Sequence, residues 1–194
     1  MQANHDALLK KYGDGTDKAL SVELMRMRSK DQDIRKRLFE DQNFQSLPVE
    51  QQEKLAKQMN ETDAALTARL KQIVEEKGWP TIPLVGEDAS KAAALILVHT
   101  PDHVWQTSLL PALEHLAEQD MITGDDIAPI VDRMLKAEGK PQRFGTYFDF
   151  KDGVMTMWPV EDPAHLDELR EQYQLPPMDE YKKLMAQYYH MKAQ

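Results

Sequence analysis

His99 and His103 stand four residues apart, the spacing at which two imidazoles chelate zinc when both project from one continuous helix. Thr100-Pro101 lies between them and breaks that helix, and no glutamate follows His99 as a metalloprotease base would. No metal and no other cofactor is therefore expected. His99 alone is a candidate general acid or base, because imidazole is the side chain that changes charge nearest neutral pH. Asp31 and Asp63 are the candidates to orient or charge-balance it. Each interrupts an apolar helical stripe: Asp31 falls between Met27 and Ile34, and Asp63 between Met59 and Leu66. Structural alternatives stand beside each role. Asp31 is one turn from Arg35 and would pair with it to hold two helices in register. Asp63, with Thr62, would cap a new helix. A lone histidine at a helix end is also a common satisfied core residue.

Further along, Gln106, Asp132, Arg133, Gln142, Gly145 and Thr146 are polar or permissive residues set next to apolar stripes. The last three belong to GKPQRFGTYFDF (139–150), where Gly145 would let a backbone or ligand approach closely. Carboxamide, guanidinium and hydroxyl together suit a small polar or anionic ligand, so these six are the candidate ligand-binding residues. Other chemistries find no support. There is no GxSxG elbow and no cysteine, and neither GxGxxG nor GxxxxGK[ST] occurs.

The elements that carry these residues read mainly as helices. Thr16 or Asp17 caps the first, whose stripe is Leu20, Leu24, Met27, Ile34 and Leu38. A second runs from Leu55 through Val74 and ends at Gly78 and Pro80. KAAALILVH is apolar all round and reads as a buried helix ending at His99. Pro101 starts the next, with Val104, Trp105, Ser108, Leu109, Ala112 and Leu116 as its face. Thr123 and Asp126 open another that stops at Gly139 and Pro141. Phe144, Thr146, Phe148 and Phe150 then alternate on one strand face, Asp152-Gly153 turns the chain, and Val154, Thr156 and Trp158 alternate back. Two short helices, opened by Asp162-Pro163 and capped by Asp179, follow. The expected fold is mainly α, a compact domain of about six to eight helices over residues 16–191 with one small antiparallel β-hairpin near 143–158. A flexible segment, 1–15, precedes it.

Composition narrows the partners. Hydrophobic residues at 41% allow a packed core in 194 residues, and the net charge of −9 repels a phosphate backbone, so no nucleic acid is expected. The longest apolar run, AAALILV (92–98), is far below the roughly 18 residues of a membrane span. MQANHDALLKK has no apolar h-region, which fits a cytoplasmic chain, or a periplasmic or exported one whose leader has been removed.

The order and spacing of several short motifs resemble a bacterial family known only as a domain of unknown function. They are Asp31-Gln32-x-x-Arg35, Asp63, GWP (78–80), Gly86, His99 with Gln106, Asp132-Arg133, Gly139-x-Pro-Gln-x-Phe-Gly-Thr146, Arg170 and Tyr181. The resemblance implies a shared polar site at His99, Gln106, Asp132, Arg133, Gln142 and Thr146, without an assigned reaction, in a family whose members often look exported or lipid-anchored. Tyr147 departs from its pattern, which more often has a polar residue there, and His103 matches no motif position. Two functions follow as expectations. One is a hydrolase or lyase acting on a small polar or anionic molecule with His99 as acid or base. The other is a non-catalytic binding or protein-interaction module, including an immunity-type protein, whose polar cluster is structural.

Overall fold

Asp17 begins the first long helix as expected: its Oδ1 accepts the Leu20 backbone N–H at 3.0 Å. In the computed structural model, residues 10–40, 47–151, 154–188 and 192–193 are described. They divide into two compact units, residues 1–106 and 107–194.

In the first unit, α1 (Lys18–Arg35) runs into a π-helical turn (Lys36–Glu40). Next come α2 (Val49–Lys77), the short α3 (Ile82–Val85), α4 (Glu87–Val98) and the start of α5 (His103–Glu118). α1 packs chiefly on α4 and α2. Leu24, Leu70, Ala92, Ala93 and Leu97 are wholly inaccessible, and each leucine contributes about 2 kcal/mol of burial. Small residues on α4 (Ala89, Ala92, Ala93) let neighbouring helices come close. α2 ends at Gly78, whose φ of +77° and N–H bond to the Val74 carbonyl make the expected glycine stop.

Three sequence expectations change here. α2 passes unbroken through Thr62 and Asp63, so neither caps a new helix; the Thr62 hydroxyl donates to the Gln58 carbonyl one turn back, at 2.7 Å. α5 starts at His103 rather than Pro101, because the Asp102 carboxylate accepts the Trp105 N–H at 3.0 Å and fixes the start two residues later. The face of α5 also differs from the expected one. Val104 is 83% exposed, whereas Gln106 and Leu113 are buried. A polar residue sits on the buried stripe, so phasing by apolar letters alone rotates the helix wrongly.

The second unit holds the remainder of α5, α6 (Gly124–Ala137), β1 (Phe148–Lys151), β2 (Val154–Met157), α7 (Leu166–Gln172), α8 (Met178–Tyr188) and β3 (Lys192–Ala193). β1 and β2 are antiparallel, with Phe148 opposite Met157 and Lys151 opposite Val154. β3 adds a short parallel pairing to β2. The expected Asp152-Gly153 turn and the Phe150 side chain lie outside the described residues. Phe148, Met155, Leu166 and Met178 form the core of the hairpin and its helices. Phe144 and Thr146, expected on the strand face, precede the strand in irregular backbone, with Gly145 at φ +74° between them. That positive φ excludes continuous strand geometry. Asp179 lies inside the first turn of α8, and the Met178 N–H at its start donates to Asp167 at 2.7 Å.

Gly15 is pressed against α3. A Cβ there would sit 2.4 Å from the Gly86 nitrogen and 2.5 Å from the Val85 carbonyl carbon, at φ +78°. We expect Gly15→Ala to lower the unfolding free energy by about 2 kcal/mol in urea denaturation. A second expectation concerns acid. Lys77 beside Asp17 and Lys71 beside Asp102, each through a hydrogen bond, hold these carboxyls below their ordinary values. A carboxyl whose folded pKa lies below its unfolded one stabilises above the unfolded value, near pH 4, and loses that contribution as pH falls through the folded one. Asp17→Asn and Asp102→Asn should each flatten the fall of Tm below about pH 4 in calorimetric scans.

Candidate functional site

α1, α2 and α4 bring three of the expected site residues together in the first unit. Asp31 is 1% exposed on α1. Its Oδ1 lies 2.9 Å from His99 Nδ1 and accepts Arg35 Nη1 at 2.8 Å, while its Oδ2 accepts Gln32 Nε2 at 2.8 Å. Arg35 then reaches α2, where Nη1 and Nη2 each donate to one oxygen of Asp63 at 3.0 Å. The expected Asp31–Arg35 pair is present, and through Asp63 it does join two helices. His99 follows Val98, the last residue of α4, as its C-cap.

A buried carboxylate must be paired and hydrogen-bonded, and Asp31 satisfies both demands with side chains alone. Because it accepts, the imidazole nitrogen facing it is the one that carries hydrogen, which assigns the Nδ1–H tautomer to neutral His99. Its Nε2 then holds the lone pair. The His99 side chain is 20% exposed, against 16% for Arg35, 10% for Asp63 and 1% for Asp31, while Gln32 is exposed.

Gln106 is fully buried, and its amide donates to the Leu97 carbonyl at 2.7 Å, tying the first turn of α5 to the end of α4. The Thr67 hydroxyl donates to that of Thr100 at 2.9 Å, a buried bond that no sequence pattern announced.

The remaining expected residues lie in the second unit, where Asp132 with Thr146 and Gln142 each bind backbone around them. Asp132, 0% exposed on α6, accepts the N–H groups of Arg143 (2.7 Å) and Phe144 (2.9 Å) on Oδ1. Its Oδ2 accepts the N–H and hydroxyl of Thr146, both at 2.8 Å. A carboxylate offers about four acceptor positions, and all are filled. Gln142 is likewise engaged at both ends of its amide: Nε2 donates to the Tyr147 and Trp158 carbonyls at 3.1 and 2.6 Å, and Oε1 accepts the Tyr147 N–H at 2.8 Å. Gly145 supplies the left-handed backbone, and a Cβ there would meet Met178 Sδ at 2.8 Å. Arg133 is half-buried beside Asp132 on α6. Arg170 is fully buried, donating through Nε to the Pro176 carbonyl at 2.7 Å and through Nη1 to that of Phe144, and it lies 4.7 Å from the Tyr181 ring centroid. Burial lowers its guanidinium from the usual very high value.

Among the described residues, no group of three or more His, Asp or Glu is placed to hold a metal ion. A groove of about 760 Å³ between α1 and α2 is lined by charges of both signs, among them Arg26, Lys30 and Arg37 with Glu23, Asp33 and Glu61, but not by His99. In the second unit, a cavity of about 250 Å³ is lined by Asp120, Tyr173 and Gln174.

Asp132→Asn would place an NH2 against backbone N–H donors that have no alternative acceptor. We expect a loss of about 3 kcal/mol, read by chemical denaturation with Tyr and Trp fluorescence as probes.

No curated protein and no solved structure shows a significant match to the chain. A family model described as a family of unknown function (DUF6624) matches residues 18–194, from the first residue of α1 onward, and the chain belongs to that family.

Proposed function

We propose that the first unit carries an acid–base centre and that the protein is a bacterial hydrolase or lyase for a small polar or anionic substrate, with His99 as the proton-transfer group. The observation that carries this reading is the 2.9 Å contact between His99 Nδ1 and an Asp31 that two further donors hold in place. A base needs a free lone pair aimed consistently, and an acceptor behind the ring supplies that aim. Asp31 fixes the tautomer, so Nε2 takes the proton, and the same carboxylate stabilises the imidazolium that forms. Such general-base assistance is worth about 10²- to 10⁴-fold in rate.

A second reading, a module without chemistry, draws on the other unit. Asp132 on α6 and Gln142 bond chiefly to backbone groups, of residues 143–147 and of Trp158, as groups that fix a backbone would, and this supports a structural role for them and for Thr146.

The test is a panel of small carboxylates, phosphate esters and amides, assayed for turnover and for thermal shift with the intact chain and with His99→Gln. The acid–base reading expects the variant to keep its circular dichroism and Tm within a few degrees while turnover falls about 100-fold or more. Turnover unchanged in His99→Gln would sink it. An intact chain that turns over no member of the panel would favour the module.

A further inference from the structure

We propose that Asp63 is a positioning residue for His99, acting through Arg35 and Asp31 from a different helix. This rests on the acid–base reading above and adds to it a residue that touches neither the imidazole nor any reacting atom.

The line of contacts is continuous: Asp63 on α2, Arg35 and Asp31 on α1, His99 at the end of α4. Asp31 Oδ1 is shared, accepting Arg35 Nη1 and facing His99 Nδ1 at once. Where Asp31 points therefore depends on where the guanidinium sits. Arg35 is a long side chain on the same helix as Asp31 and has several rotamers that would still reach it. The parallel bonds to Asp63, both 3.0 Å, remove that freedom by fixing the plane of the guanidinium as well as its position. One bidentate grip on α2 thereby sets the orientation of a carboxylate on α1 and of a ring on α4.

A purely architectural role for Asp63 accounts less well for what is seen. α1 and α2 are already joined by Glu23–Arg69 at 2.6 Å and by Asp17–Lys77 at 2.5 Å, both more exposed than the Arg35–Asp63 pair. A buried ion pair is a poor source of net stability, because desolvation consumes most of its Coulombic gain. The Arg35–Asp63 pair is partly buried, at 16% and 10% exposure, and so bears part of that cost; adding it where two more accessible pairs already join the helices is explained by the orientation it imposes on Asp31.

The experiment reads the ring directly and needs no substrate. Long-range ¹H–¹⁵N spectra of the intact chain, taken at a pH where His99 is neutral, report which ring nitrogen carries hydrogen. The wild type is expected to show a single Nδ1–H tautomer. Asp63→Asn keeps the shape and one acceptor but loosens the grip, and a second, Nε2–H signal is expected; Asp63→Glu restores the single one. Glu23→Gln, which breaks a different α1–α2 pair, leaves the tautomer unchanged. An Asp63→Asn spectrum identical to wild type overturns the proposal while leaving the Asp31–His99 reading intact. A wild-type ring protonated at Nε2 overturns both. If Asp63→Asn does not fold, Arg35→Lys carries the test, since it keeps the charge and loses the fork: two signals support the proposal and one overturns it.

Discussion

A carboxylate with almost no exposure, Asp31, sets the terms for the first unit. Left alone at that depth it would cost more than a helix contact returns, so its neighbours are determined by it rather than the reverse. Arg35 has to sit one turn away, Asp63 has to meet Arg35 from α2, and the end of α4 has to bring His99 within reach. The apolar packing of Leu24, Leu70 and Leu97 drives the three helices together, but it is indifferent to small slips. The charged line is not indifferent, because its hydrogen bonds hold only over a narrow range of distance and angle.

The second unit solves the same problem by opposite means. Asp132 is as deeply buried as Asp31, yet three of its four donors are backbone N–H groups and the fourth is a hydroxyl. None of these titrates near neutrality or moves independently of the chain. One aspartate thus shapes a loop, while the other holds a group able to gain and lose a proton. Burial alone does not tell such residues apart; the chemistry of their donors does.

That contrast also marks what the sequence could disclose. Asp31 and Asp63 were visible because a charge on an apolar stripe breaks a pattern, and Arg35 followed from helix spacing. The helices, their glycine stops and the hairpin followed from periodicity and punctuation. Asp132 drew attention beside the loop, but its partners are main-chain groups, which no residue letter records. Gln142 is hidden in the same way, since its amide bonds to backbone carbonyls. The buried Gln106 misled the phasing of α5, because a polar residue on an interior stripe reads as surface. The division between units falls within α5, where no change of composition marks it.

Asp17 and Asp102 each divide their two oxygens in the same way. One oxygen caps a helix start, at Leu20 and Trp105 respectively, and the other takes a lysine from the C-terminal part of α2, Lys77 or Lys71, at 2.5 Å. Each carboxylate therefore belongs at once to a bond closed within one turn and to a bond closed across a long span of chain. α2 thus presents, along its last two turns, the cations that meet the carboxylates capping two other helices.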